Sequence, residues 1–138
     1  MTAALYLLDT NIISALARDP HGPVQQHIQA VGPQAVCTSL IVVSELRYGL
    51  RKKGSARLTD NINRILATMT ILAYSPPAEE VYAEIRHTLT LQGTPIGPND
   101  FLIAAHTLSV GATLVTANTS EFCRVPHLAV ENWLLPMA

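Results

Sequence analysis

Short continuous apolar runs alternate along the chain with longer segments of helical periodicity. Such runs are typical of strands in a parallel sheet, because these strands are covered on both faces. The predicted strands are ALYLL, QAVCTS, TILAYS and ATLVTA, with LAVENW as a short terminal strand. The predicted helices cover residues 10–18, 24–32, 40–53, 56–69, 77–92 and 99–110.

Local signals mark the ends of the predicted helices. Ser39 is a favourable N-cap for the segment 40–53, and Gly54 follows its last turn. Strands that alternate with helices predict an α/β fold, in which a central parallel sheet carries helices on both faces. Ligands of such sheets bind beyond the carboxyl ends of the strands, so functional residues are expected at that edge.

The composition fits one domain, residues 1–138, and its apolar content is high for a small soluble domain. Apolar residues make up 49% and charged residues 14%, which leaves apolar surface for a second copy or a partner chain to cover. No apolar run reaches the length of about 18 residues that a membrane span requires, and the N-terminus lacks the pattern of a secretion signal. A cytoplasmic location is therefore expected.

Cys37 and Cys123 lack metal-binding spacing and are expected to be reduced, mostly buried thiols.

Three acidic residues stand where they would reach the carboxyl edge of the predicted sheet. Asp9 directly follows the first strand, Glu45 lies in the helix after the second strand, and Asp100 opens the helix before the fourth strand. Each also has a purely structural explanation. Asp9 suits a helix N-cap, Asp100 suits the first turn of a helix, and Glu45 would be stable beside an arginine.

The combination of three acids at one edge favours a bound cation. Like charges packed side by side raise each other's pKa and destabilise the fold unless a counter-ion is present. Oxygen ligands select hard ions such as Mg²⁺ or Mn²⁺. One or two such ions activate water and stabilise the oxygens of a phosphodiester under attack. The acids therefore predict metal-assisted phosphodiester cleavage.

Four segments of the chain resemble, in order, the successive motifs of PIN-domain ribonucleases, and specifically of the VapC toxins of bacterial toxin–antitoxin pairs. The segments are LLDTNIIS, SLIVVSELRYG, PNDFLIAAHTL and LVTANTSEF followed by VPHLAVENW. They run from Leu5 to Trp133, which is nearly the whole chain. Each motif alone is weak, but four in order at compatible spacing form a strong signal.

The resemblance implies a site and a set of partners. Asp9, Glu45 and Asp100 would be the acidic metal ligands, and Thr10 and Asn11 would orient Asp9 and its helix. The resemblance also implies a VapB-type antitoxin that occludes the site, a homodimeric toxin, and structured RNA, often tRNA, as the substrate.

After the fourth strand the chain departs from the family pattern. PIN domains usually carry a fourth acid there, in the pattern T-x-D, whereas this chain has Thr116 followed by Asn118. An amide oxygen ligates Mg²⁺ weakly and brings no charge. Glu121 is the candidate replacement, with Thr116 and Asn118 as candidates to complete the surroundings of the metal. The alternative is that Asn118 is a turn residue and Glu121 a first-turn acid of a short helix.

Basic residues are concentrated between Arg47 and Arg64, where six of the nine in the chain lie against the single acid Asp60. A helix end often carries such charges without a function. A cluster of carboxylates, however, repels RNA unless positive charge flanks it. Aromatic residues make up only 5%, so the RNA is expected to be recognised by shape rather than by base stacking. The candidate RNA-binding residues are Arg47, Arg51, Lys52, Lys53 and Arg57.

Three other classes of protein are alternatives. A phosphotransferase of the haloacid dehalogenase kind needs D-x-D after the first strand, and this chain has Asp9, Thr10 and Asn11 there. A receiver domain needs an acid pair before its first helix and a lysine after a late strand, and neither is present. A PIN-like module that binds RNA or protein without cleavage stays open, because Asn118 is neutral.

Overall fold

The computed structural model describes residues 4–137, in which five strands form one parallel sheet. The order of the strands in the sheet is β3-β2-β1-β4-β5, and every neighbouring pair is parallel. This confirms the predicted α/β fold with a central parallel sheet. The strands are β1 (Tyr6–Leu8), β2 (Val36–Ser39), β3 (Thr70–Leu72), β4 (Thr113–Val115) and β5 (Val130–Glu131).

Helices connect the strands, and their bounds agree with the predicted segments to within two residues at each end. Ser39 caps the third helix as predicted, because its hydroxyl accepts a hydrogen bond from the backbone N–H of Ile41 at 3.0 Å. Among residues 4–137, no helix combines the length and the apolar character that crossing a membrane would require. The helices are α1 (Thr10–Arg18), α2 (Pro23–Val31), α3 (Leu40–Lys53), α4 (Ala56–Ala67), α5 (Ala78–Leu91), α6 (Pro98–Ser109) and α7 (Thr119–Phe122).

Two sequence-based expectations need correction. The strand predicted at residues 70–75 ends at Leu72, and the one predicted at 112–117 ends at Val115. The pairing of β3 ends at Leu72 opposite Ser39, the last residue of β2, and β4 ends at Val115 opposite Leu8, the last residue of β1. Both cysteines are free, but Cys37 is buried and Cys123 is exposed, so the expectation of two buried thiols is wrong for Cys123.

The order of the strands reverses beside β1, and this places a crevice at the carboxyl ends of β1 and β4. From β1 the chain builds outward to β2 and β3, then returns to lay β4 on the other side of β1. Leu7 pairs with Leu114 and Leu8 with Val115, and all four side chains are fully buried. Parallel α/β sheets bind ligands at such a switch point.

Candidate active site

Asp9 lies at the mouth of the crevice, directly after β1, and is only 4% exposed. One carboxylate oxygen caps α1 by accepting the backbone N–H of Thr10 at 2.8 Å. The other accepts the hydroxyl of Thr116, also at 2.8 Å. Burial raises the pKa of Asp9 despite these bonds. Asp9 is therefore both a helix cap and an acid of the crevice.

Asn11 and Thr116 join the end of β4 to the start of α1. The side-chain oxygen of Asn11 accepts the backbone N–H of Ala117 at 2.9 Å, and its amide group donates to Asp9 at 3.4 Å. Thr116 is fully buried and accepts the backbone N–H of Asn118 at 3.0 Å while it donates to Asp9. The predicted neighbours of Asp9 thus surround its carboxylate.

Glu45 reaches the same rim from the second turn of α3. One of its oxygens accepts the hydroxyl of Thr10 at 2.9 Å, and the other accepts the amide of Asn99 at 3.4 Å. These hydrogen bonds tie α3 to the first turns of α1 and α6. Both hydrogen-bond partners of Glu45 in the described structure are neutral, so the alternative of an arginine partner is wrong.

Asp100 and Glu121 form a carboxyl pair at the same crevice as Asp9. Asp100 lies in the first turn of α6. Burial, followed by the negative charges of Asp9, Glu121 and Glu45 and by a hydrogen bond with Glu121, raises the pKa of Asp100 to about 7. Asp9, Glu45 and Glu121 therefore all lie close enough to Asp100 to act on its charge, which is the behaviour expected of a single site.

Glu121 is held in this position by α6 and by its own helix. One of its oxygens accepts the backbone N–H of Gly97, the N-cap of α6, at 3.1 Å. The other accepts the side-chain amide of Asn118. Glu121 does belong to a short helix, as the structural alternative held, but its carboxylate is bound to Gly97 and Asn118, and its charge acts on Asp100.

The chemistry of these donors fits a hard divalent cation. Within residues 4–137, no three His, Cys, Asp or Glu side chains lie close enough together to form a metal-binding group. Two of the acids are held by other partners, since Thr10 binds Glu45 and the N–H of Gly97 binds Glu121. The donors are nevertheless all oxygen atoms, and a cation would relieve the repulsion that raises the pKa of Asp100.

A buried Ser39–His106 pair lies beneath the site and was not predicted from the sequence. The ring nitrogen Nδ1 of His106 and the hydroxyl of Ser39 are 2.8 Å apart, and both residues are at most 1% exposed. Burial lowers the pKa of His106. The pair joins the start of α3, which carries Glu45, to α6, which carries Asp100. Its burial makes it a structural link rather than a nucleophile and base.

The predicted RNA-binding residues are exposed on α3 and at the start of α4. Arg47 is occupied by a hydrogen bond to Asn63 of α4, and Lys52 lies over the ring of Tyr48, 5.4 Å from its centroid. Lys52 and Lys53 line a cavity of about 330 Å³ that also contains Thr10 and Glu45. Positive charge thus borders the acidic crevice on the side of α3. Arg18, which sequence reasoning missed, lines the same cavity.

Comparison with known proteins gives one consistent family. A profile of the PIN domain matches residues 6–128. Ribonuclease VapC2 of Haemophilus influenzae is 40% identical over 131 residues, 94% of this chain and 98% of that protein. The tRNA(fMet)-specific endonuclease VapC of Shigella flexneri is 33% identical over 93% of this chain and 97% of its own length. The crystal structure of VapBC2 from Rickettsia felis bound to a promoter DNA fragment contains a chain with TM-score 0.86 and 33% identity, covering 94% of this chain and 98% of that one.

The fold and the crevice define an α/β protein whose acidic side chains gather at the switch point of a parallel sheet. The chain belongs to the PIN-domain family, among the VapC ribonucleases. The family predicted from the four sequence motifs is therefore confirmed.

Proposed function

We propose that the protein is an endoribonuclease toxin that depends on Mg²⁺ or Mn²⁺. The observation that carries the proposal is the crevice at the switch point of the sheet, where Asp9 is buried and where Glu45, Asp100 and Glu121 stand on the neighbouring helices. Similarity to proteins named as ribonucleases supports it. Because the Shigella relative is named as a tRNA-specific endonuclease, structured RNA such as tRNA is the proposed substrate.

Asp9, Glu45 and Asp100 would hold the cation through carboxylate oxygens, with Glu121 as the fourth acid. A bound divalent cation lowers the pKa of water and stabilises negative charge on the oxygens of a phosphodiester. Thr116 keeps Asp9 in place, and Thr10 does the same for Glu45. Since water attacks the phosphorus, the reaction requires no nucleophilic side chain.

A simple experiment separates this enzyme from a module that binds RNA without cleaving it. The purified chain is incubated with bacterial tRNA in Mg²⁺, in Mn²⁺ and in EDTA, beside a matched preparation of Asp9→Asn. We expect fragments only with the wild-type chain and only when metal is present. Intact tRNA in every reaction, together with measurable RNA binding, would favour the binding module.

The basic residues beside Glu45 are proposed to contact the RNA backbone. Replacing Lys52, Lys53 and Arg57 together with alanine should weaken RNA affinity and flatten its dependence on salt, by a slope of about 0.7 to 0.9 for each lost phosphate contact. The cleavage rate at saturating RNA should change little. Anisotropy titrations of labelled tRNA between low and moderate salt measure the slope, and an unchanged slope would return these residues to the role of a solvated helix end.

We further propose a VapB-type antitoxin as the protein partner, because the solved relative from Rickettsia felis is a VapBC complex. A second cavity, of about 450 Å³, lies among α1, α2 and α4, and none of the four acids lines it. Its apolar lining includes Leu16, Ile28, Ile65 and Met69. A groove of this kind suits the apolar side chains of a partner segment.

Replacing Ile65 with aspartate should weaken capture of the antitoxin at least about tenfold, because a charge would enter an apolar contact. The matched control is Leu134→Asp, since Leu134 is an exposed apolar residue outside this cavity. Both variants should cleave tRNA at the wild-type rate when the antitoxin is absent. Co-purification of the tagged toxin with its co-expressed VapB-type protein measures the difference, and equal capture by both variants would contradict the assignment.

The homodimer stays a prediction that exposed apolar side chains support. Leu40 and Tyr48 of α3 are 47% and 67% exposed, and Leu91 at the end of α5 is 75% exposed. Large exposed apolar patches are typical of surfaces that another chain covers. Light scattering on the isolated toxin should give twice the chain mass of 14.9 kDa.

A further inference from the structure

A groove between α1 and α3 runs away from the acidic crevice. Its volume is about 330 Å³, within the range of sites that hold small ligands. Its floor is apolar and consists of buried or half-buried side chains of α3 and α4. The floor residues are Leu46, Leu50, Leu58 and Ile62.

The α1 wall of the groove is a stripe of polar residues at helical spacing. Thr10, Ser14 and Arg18 follow one another at intervals of four residues and therefore lie on one face of α1. From Thr10 to Arg18 the helix rises about 12 Å. The stripe thus leads from the hydroxyl that holds Glu45 to an exposed guanidinium.

The α3 wall carries a second stripe at the same spacing, which also runs from the acidic crevice to a cationic end. Glu45, Gly49 and Lys53 are spaced by four residues, and Lys52 lies beside them. The groove therefore begins at an acid of the proposed metal site and ends between Lys52, Lys53 and Arg18. Such a gradient suits a polyanion of which one phosphate is cleaved at the acids and a neighbouring phosphate is held by the cations.

Gly49 keeps the groove open at its middle. Glycine is among the least favourable residues in a helix interior, and Gly49 has no positive φ that would require it. Apart from its chain neighbours and the backbone of its own helix, a Cβ atom placed there would meet no atom within 4 Å, so packing does not exclude a side chain. The structure thus has space above Gly49 that no residue of the described chain fills.

We propose that this groove binds the stretch of RNA that adjoins the cleaved phosphodiester. Arg18 contacts a backbone phosphate, and a sugar or base lies above Gly49 on the apolar floor. The inference rests on the proposed ribonuclease function, since it assigns a subsite to that same substrate. The occupant is RNA rather than a peptide because three exposed cations converge at the end of the groove.

The first test compares Arg18→Ala with Arg64→Ala. Both arginines are exposed and lie in the last turn of a helix, but Arg64 lines the cavity assigned to the antitoxin. For Arg18→Ala we expect tRNA affinity in EDTA to fall about fivefold near 0.1 M salt, with a salt slope lower by about 0.7 to 0.9. The KM for cleavage should rise by the same factor with little change in kcat. Arg64→Ala should match the wild-type chain in all three measurements.

The second test fills the groove at Gly49. Gly49→Ala and Gly49→Leu both favour the helix, but only leucine extends far into the space that the proposal gives to RNA. We expect Gly49→Ala to bind tRNA like the wild-type chain and Gly49→Leu to bind at least about tenfold more weakly, with thermal unfolding of both at or above the wild-type temperature. Leucine at this position would block any occupant, so a loss of antitoxin capture without a loss of RNA affinity would assign the groove to the antitoxin and overturn the proposal.

The two proposals fail in different ways. If the wild-type chain neither binds nor cleaves tRNA, the proposed function is wrong and the groove proposal falls with it. If the wild-type chain binds and cleaves while Arg18→Ala and Gly49→Leu both match it, the ribonuclease stands and the groove is not its subsite.

Discussion

Replacing Asp100 with asparagine should lower the rate of RNA cleavage about a thousandfold, a loss of several kcal/mol of transition-state stabilisation. The same change should stabilise the metal-free protein. The pKa of Asp100 is raised to about 7 by burial and by the neighbouring acids, so the folded chain resists ionisation of this group. An ionised Asp100 therefore destabilises the folded state, and the neutral amide removes that effect.

The sign of the pH dependence follows from the raised pKa. The folded state binds the proton of Asp100 more tightly than the unfolded state, so the free energy of unfolding falls as pH rises from about 4 to about 7. Above that range the penalty is complete, and we expect it to be about 1 to 2 kcal/mol after allowance for partial exposure. Asp100→Asn should thus gain more stability at pH 8 than at pH 5.

Denaturant unfolding in EDTA at the two pH values measures this difference, and saturating RNA cleavage in Mg²⁺ measures the lost activity. Asp60→Asn is the matched control, because Asp60 is an exposed acid on α4. The control should leave both quantities unchanged. A stability difference that is the same at both pH values would show that Asp100 is not under the electrostatic stress that the site account assigns to it.

The second large effect is expected at the position where the family usually has its fourth acid. Replacing Asn118 with aspartate should tighten the binding of Mn²⁺ about tenfold in the absence of RNA, since it adds a charged ligand. In the metal-free protein the same change should be destabilising, because the amide of Asn118 now donates to Glu121 and a carboxylate there would repel it. Bound metal should therefore stabilise Asn118→Asp more than it stabilises the wild-type chain.

Substitutions at Glu121 should reduce cleavage more than substitutions at Asn118. Glu121→Gln should reduce cleavage by about 10- to 100-fold, as loss of an oriented carboxylate at a metal site does. Asn118→Ala should reduce cleavage less, because Asn118 acts only through its hydrogen bond to Glu121.

The wild-type chain should bind one Mg²⁺ weakly and need millimolar metal for full activity. Calorimetric titration with Mn²⁺, read beside cleavage assays, measures both effects. If Asn118→Asp cleaves RNA and the wild-type chain cleaves none at any metal concentration, the natural chain is a binding module.

The sequence predicted the helices well because their end signals are local. Ser39 and Gly54 set the ends of α3 through contacts within a few residues, and Asp9 does so for the start of α1. Strand ends were less predictable, since they depend on where a partner strand stops, and an apolar run does not record that. The strand predicted to Ser75 ends at Leu72 for this reason.

The candidate site was predictable as a set of acids but not as a set of contacts. Chain order and the carboxyl-edge rule brought Asp9, Glu45 and Asp100 together. The bond between Glu121 and the N–H of Gly97 joins residues 24 apart in sequence, and no local pattern announces it. Arg18 was missed because a lone arginine at a helix end resembles any other solvated charge.

The measurement that tests the account most directly is the rate of tRNA cleavage as a function of Mn²⁺ concentration, for the metal-stripped wild-type chain and for Asp9→Asn. We expect no cleavage in EDTA, a saturable rise with Mn²⁺ for the wild-type chain, and a rate about a thousandfold lower for Asp9→Asn at every concentration. Cleavage by the wild-type chain in EDTA, or wild-type rates from Asp9→Asn, would contradict a metal site built on the acids of the crevice.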